Sequence, residues 1–441
     1  MTPTVEAGSE TLRPPAAPVT LEQTGLSLDV IVQLAVKTLH LAGELGGVEL
    51  AHRLGLTFPA VEPALDTLIG QHQCEIVGGA LVGRASYRYR ITDAGRARAM
   101  LFLRDNQYVG FAPVPVATYR RYMAQFATAT SSKVTRARIR DAFAHLVISD
   151  GVLDQLGPAI NEGHSMFVYG PPGNGKTVIS QAIRNVLDGE IAIPHALEAE
   201  GSIIRIFDPV VHDPLPPPQA TPQLDGGVRY DARWVRCRRP MVMVGGELRL
   251  ESLDLNSQVG SGFSRAPVQT VANGGVLVID DFGRQQCSPR ELLNRWIVPL
   301  ESRVDYLTLA TGQKLELPFM VLVVFATNLQ PSELVDEAFL RRIRYKIFAQ
   351  GPTPEEFAAI FSNCCRESGV AFKPSLVAHL FTTWYEPRNL PLRGCHPRDI
   401  IRHALSLAEY LDQPRSLTTE LLDSACAGYF VRDEHSVKSL A

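Results

Sequence analysis

The sequence predicts an α/β fold: a parallel sheet covered by helices, with a small helix-and-hairpin domain before it and a helical segment after it. Three observations predict it. From Gly151 onward the chain alternates strand, helix and strand with glycine-rich joints. Two runs of apolar residues, 276–279 and 319–326, read as strands buried on both faces. From Thr353 the apolar spacing turns helical, over 354–368, 374–385, 397–411 and 417–429.

The chain of 441 residues is long enough for two to four domains at roughly 100–200 residues each. Its 45% hydrophobic content excludes disorder throughout, and a formal net charge of −3 gives no global pull towards nucleic acid or an anionic membrane. Seven cysteines, an odd number with no C-x-x-C pair, read as reduced thiols of a cytoplasmic protein. Residues 1–20 lack an apolar core for a signal peptide, and the longest apolar run, 317–326, falls short of the about 18 residues of a membrane span.

Proline-rich residues 1–25 are expected to form a disordered tail. Over 26–105, helices at 27–41, 48–54 and 59–71 precede extended pieces at 75–77 and 86–91, the order of a winged helix-turn-helix. The stretch Ile91-Thr92-Asp93-Ala94-Gly95-Arg96 resembles the end of the wing in many bacterial winged-helix proteins. Residues 106–146 read as a basic connector, 147–350 as the α/β domain with a proline-rich surface loop near 214–222, and 351–441 as a helical lid.

The strongest motif is Gly170-Pro171-Pro172-Gly173-Asn174-Gly175-Lys176-Thr177, with an apolar strand before it and a helix after it. Glycines let backbone N–H groups wrap a polyphosphate, the helix N-terminus adds partial positive charge, Lys176 reaches the β- and γ-phosphates, and the Thr177 hydroxyl ligates Mg²⁺. The strand 276–279 then delivers Asp280 and Asp281 at its carboxyl edge, where open α/β sheets bind ligands. Asp280 is the candidate for the metal, and Asp281 for orienting or deprotonating the attacking water. Asn328 follows the second buried strand, placed to hold that water.

With these pieces in order, the chain resembles the AAA+ ATPases over about 140–430. The resemblance implies that 170–177 is the Walker A loop, 276–281 Walker B and Asn328 sensor 1. It implies that 336–342 carries the arginine finger to a neighbouring subunit's ATP, with Arg341 and Arg342 as equal candidates and Arg303 as a third. It also implies that Arg398, in Gly394-Cys395-His396-Pro397-Arg398-Asp399, is the sensor 2 residue facing its own subunit's phosphates. Walker B in this family usually ends Asp-Glu, whereas this chain has Asp280-Asp281, one methylene shorter, which points to slow hydrolysis or a need for a partner. Apparent hairpins at 241–250 and 304–317 resemble in layout the insertions of the clade that includes MoxR-type remodelling ATPases and McrB-type motors.

The third helix of the winged-helix region lacks the cations that DNA reading needs: 55–83 contains no Lys or Arg, while Glu62 and Asp66 sit on that helix. Residues 84–140 hold twelve basic side chains against two acids, a surface suited to docking an acidic protein or the adjoining subunit, or to phosphate contact without sequence reading. The sequence therefore reads as an ATP- and Mg-dependent ATPase, a homo-oligomeric ring, a hexamer by the resemblance, acting on a macromolecular client that is a protein before a nucleic acid. The alternative is an ATP-gated assembly or nucleic-acid-binding regulator with little turnover.

Overall fold

The computed structural model describes residues 12–79, 83–129, 133–187, 189–216, 230–257, 260–334 and 337–430. Residues 1–11, most of the proline-rich loop, Asp336 and the end of the expected lid lie outside the described residues. The chain divides into two compact units, residues 1–133, 187–279 and 284–324, and residues 134–186, 280–283 and 325–441. These cut across the boundaries expected at 146 and 350.

The α/β architecture is present. Its sheet uses β1 (Ser165–Tyr169), β2 (Met241–Val244), β3 (Val276–Ile279), β4 (Leu322–Thr327) and β5 (Tyr345–Phe348). The strand order is β2-β3-β4-β1-β5. The pairs β2–β3 and β5–β1 are parallel, with Met241 opposite Val276 and Tyr345 opposite Met166. Every residue of β3 and β4 is buried, as continuous apolar strands of a sheet covered on both faces must be. The placement of β2 corrects one expectation: 241–250 is not a hairpin, because its first half lies in the parallel sheet and Leu250–Leu253 is a 3₁₀ turn. The second expected hairpin is there, Val304–Thr308 against Lys314–Pro318.

In the first unit, helices Leu28–Ala42, Gly47–Arg53 and Phe58–Gly70 precede the antiparallel pair Cys74–Gly79 and Tyr87–Ile91, with Glu44–Gly46 as a third strand on the far side of the latter. Ile31, Leu34, Ala35 and Leu39 recur at helical spacing and are buried on one face. The 91–96 stretch has a physical explanation: Thr92 caps the helix Asp93–Asp105 by accepting the Gly95 N–H at 3.1 Å, and a Cβ at Gly95 would lie 1.9 Å from the Gln73 carbonyl oxygen.

Two further expectations are corrected here. The described part of residues 1–25 is ordered: Ala16 bridges Tyr230, the Asp231 N–H donates to the Pro15 carbonyl at 2.9 Å, and Leu21–Thr24 is a capped helical turn. The first part of the expected connector is packed into the first unit. Ala112 and Val114 are fully buried, Val114–Pro115 pairs with Ala196–Ala199, and Arg233, itself buried beside Asp231, donates to the Thr24 and Pro113 carbonyls.

The basic stretch is also less basic than its count. Arg84 pairs with Asp66 and Glu62, Arg88 and Arg90 with Glu44, Arg136 with Asp154 and Arg140 with Asp150, while Arg120 donates to the Glu316 carbonyl. Exposed pairs of this kind add little stability, but they cancel charge that phosphate binding needs.

In the second unit, helices Pro354–Glu367, Pro374–Leu380, His396–Tyr410 and Thr419–Tyr429 bury Phe357, Phe361, Leu380, Ile400, Ile401 and Leu422 in one cluster. Thr353 and Glu356 form a capping box at the first.

Candidate functional site

The phosphate-loop residues, Asp280, Asp281 and Asn328 all belong to the second unit. The strand β1 is buried from Ser165 to Val168 and releases the chain at Gly170; the helix Lys176–Val186 begins six residues later. Between them Gly173 has φ +81°, and a Cβ there would lie 2.5 Å from the Cys395 sulfur, so only glycine fits.

Lys176 is 7% exposed, and its ammonium donates to the carbonyls of Gly170 and Pro171, each at 2.9 Å. Burial pushes its pKa below that of a free lysine, while Asp281 and Asp280 pull it back up. The Thr177 hydroxyl donates to Asp280 Oδ2 at 2.9 Å. Thus the loop and the carboxyl edge of β3, which are 103 residues apart in sequence, meet at hydrogen-bond distance.

Asp281 has φ +47°, a left-handed conformation uncommon for a residue with a Cβ. Its N–H donates to Asp280 Oδ1 at 3.0 Å, and its own Oδ1 accepts from the Asn328 amide at 3.0 Å. The turn is braced from below: the Phe282 N–H donates to the Ala326 carbonyl at 2.7 Å, and the Thr327 hydroxyl donates to the Phe282 carbonyl at 2.8 Å. The rings of Phe167, Phe282 and Phe325 pack at centroid distances of 5.0 to 6.0 Å. The structure therefore brings Lys176, Thr177, Asp280, Asp281 and Asn328 together.

The arginines are placed differently. Arg341 is exposed and Arg342 half-buried on the turn after Glu337–Leu340. Arg303 donates to the Val321 carbonyl at 3.2 Å, a structural role in the first unit. Arg398 pairs with its neighbour Asp399 at 3.0 Å. Asn174, part of the phosphate loop, donates to the Ala349 carbonyl at 3.3 Å and accepts the Gly394 N–H at 3.4 Å.

Beside Asn174 opens a small cleft of about 60 Å³. Val147, Ile148, Val152, Ile179, Pro352 and Ile360 give it apolar walls, and Gln350 and Glu356 add polar groups. Sequence reasoning missed these residues. The only local signal is the apolar pair Val147-Ile148 before the helix N-cap Ser149, which is not a motif.

No helix among the described residues is long and apolar enough to cross a membrane. Comparison with known proteins gives a family match over residues 353–428, to a domain of unknown function, DUF8689. No curated protein matches. Among solved structures, the RuvB Holliday junction branch migration motor of Thermotoga maritima is 13% identical, over 65% of this chain and 71% of that one, with a TM-score of 0.38. NtrX from Brucella abortus is 15% identical, over 64% of this chain and 57% of that one, with a TM-score of 0.39.

Proposed function

We propose that this protein is an AAA+ ATPase that binds ATP with Mg²⁺ in the second unit and hydrolyses it slowly. The observation that carries the reading is the Thr177–Asp280 hydrogen bond of 2.9 Å, which joins a complete phosphate loop to a buried acidic strand end. The oxygens of Thr177 and Asp280 converge as a hard divalent cation requires, and a bound Mg²⁺ would neutralise the developing charge on the phosphates. Gly170, Pro171 and Pro172 would shape the loop, Gly173, Asn174 and Gly175 would wrap the phosphates with backbone N–H groups, and Lys176 would turn from its two carbonyls to the polyphosphate.

Asp281, held by Asn328, would orient the attacking water and accept its proton. Arg341 and Arg342, on a turn whose first residue is exposed, suit a finger offered to a second copy, which makes a homo-oligomeric ring, a hexamer in the resembling family, the working form. The winged-helix reading of 26–105 then describes a docking domain for a protein client or for assembly, because Arg84 closes onto Glu62 and Asp66 and leaves little charge for phosphate. A second reading, an ATP-gated switch with little turnover, is favoured by the short side chain of Asp281.

The test is Asp281→Asn. It should bind ATP within about threefold of wild type while phosphate release falls roughly 10²-fold, the usual loss for a general base. Wild-type phosphate release from the variant would remove Asp281 from the chemistry, and a wild-type protein without measurable turnover would favour the switch.

A further inference from the structure

The helix Asp93–Asp105 in the first unit is buried on one side only. Gly95 and Ala99 are its buried residues, small enough to bring it close against Leu28–Ala42. On the other side Asp93, Ala97, Met100 and Arg104 are all exposed, at the four-three-four spacing that lines up as one seam along a helix. Met100 is 62% exposed and its neighbour Leu101 53%, so two large apolar side chains stand together in water. At one end of the seam Asp93 pairs with Arg96 at 3.7 Å, a long surface contact. At the other end no carboxylate among the described residues pairs with Arg104, whereas Arg98 is turned onto the Phe102 ring at 4.4 Å.

We infer that this face is a contact with a second copy of the chain, made by two antiparallel Asp93–Asp105 helices. It names a partner for the docking reading of 26–105, on which it rests, and it is independent of the nucleotide site. A twofold axis passing between Arg98 and Ala99 sets Asp93 opposite Arg104 of the copy and Ala97 opposite its Met100, and symmetry repeats each pairing. Opposite charges then meet at both ends of the seam, and in the middle a small side chain receives a large one twice, which lets the helices interdigitate. A parallel copy would set Asp93 against Asp93 and Arg104 against Arg104, which repels. Nucleic acid fits worse, because an aspartate at each end of the helix and the apolar pair between them are poor neighbours for phosphate. A helix of 13 residues is about 20 Å long. A contact of that length buries less than the roughly 1,200 Å² of a standard interface, which points to a dissociation constant of about 10–100 μM.

Sedimentation velocity of the full chain without nucleotide, from about 1 to 200 μM, spans that range and tests the contact. Wild type should dimerise reversibly. Met100→Glu, which sets a charge against Ala97 of the copy, and Arg104→Asp, which sets acid against acid, should each weaken association about tenfold or more. Asp93→Arg combined with Arg104→Asp restores opposite charges at both ends and should recover association to within about threefold of wild type. Both of its changes oppose the helix dipole, so the double variant should melt lower and yet associate again, a recovery that damage to the fold does not produce. A wild type that stays monomeric overturns the inference and leaves the docking reading to a foreign partner. Association that both single variants leave unchanged overturns it and puts assembly on another surface, against the docking reading as an assembly domain. A double variant as weak as Arg104→Asp alone overturns the antiparallel pairing.

Discussion

Two buried lysines, one in each unit, make the same contacts and invite opposite readings. Lys176 donates to the Gly170 and Pro171 carbonyls, each at 2.9 Å; Lys37 donates to the Asn106 and Tyr108 carbonyls at 3.1 and 2.7 Å. Both are nearly inaccessible, at 7% and 1%. What differs is the setting. Lys37 rises from the middle of a helix to hold a buried connector, and burial alone sets its pKa. Lys176 opens a helix, its acceptors sit on a glycine-rich loop, and Asp280 and Asp281 offset part of its burial. A buried lysine bonded to carbonyls is thus not itself a functional signal; exchangeable partners and nearby carboxylates make it one.

Truncating each lysine should break the likeness most sharply. Lys176→Ala should weaken ATP binding on the order of 10³-fold, the scale for removing one partner of a desolvated charge pair. Lys37→Ala should leave ATP affinity unchanged and destabilise the first unit by about 2–4 kcal/mol, through a cavity and two unsatisfied carbonyls. Titration and denaturant unfolding of both variants measure the contrast, and an ATP defect in Lys37→Ala would erase it.

Legibility in the sequence follows the same division. The phosphate loop was legible because its residues are contiguous and its flanks show strand and helix, and Asp280, Asp281 and Asn328 were legible because apolar strands announce their own ends. The contact of Gly394 with Asn174 was not, since it joins two loops 220 residues apart in sequence. The strand Met241–Val244 was misread as half a hairpin because Gly245-Gly246 is a strong local turn signal, whereas parallel pairing to Val276–Ile279 leaves no local mark. The charge of 84–140 misled for a related reason: Glu44, Asp150 and Asp154 neutralise it from outside the counted window.

A smaller change sharpens the role of the carboxylates. Asp280→Asn keeps an oxygen that can accept from Thr177 but removes the charge beside Lys176. ATP affinity measured with and without Mg²⁺ should then lose about a tenfold advantage of the metal while metal-free binding is kept. Equal losses with and without Mg²⁺ would show that Asp280 only braces the loop.

The finest test uses protons. Burial holds Lys37 down to about 8, against 10.5 for a free lysine. Between those values the unfolded chain carries a proton that the folded chain lacks, so this group makes stability rise with pH; below about 8 both states are charged and the cost of burying the charge is present in full. Wild-type stability minus that of Lys37→Met should therefore climb by roughly 2 kcal/mol from pH 7.5 to 10, with other titrating groups cancelling in the difference. For Lys176, Asp281 and Asp280 offset part of the burial that lowers its pKa, so wild type minus Lys176→Met should climb less over the same range. Parallel curves for the two lysines would mean that the carboxylates do not distinguish them. A steeper climb for Lys176 would place the less compensated charge in the phosphate loop instead.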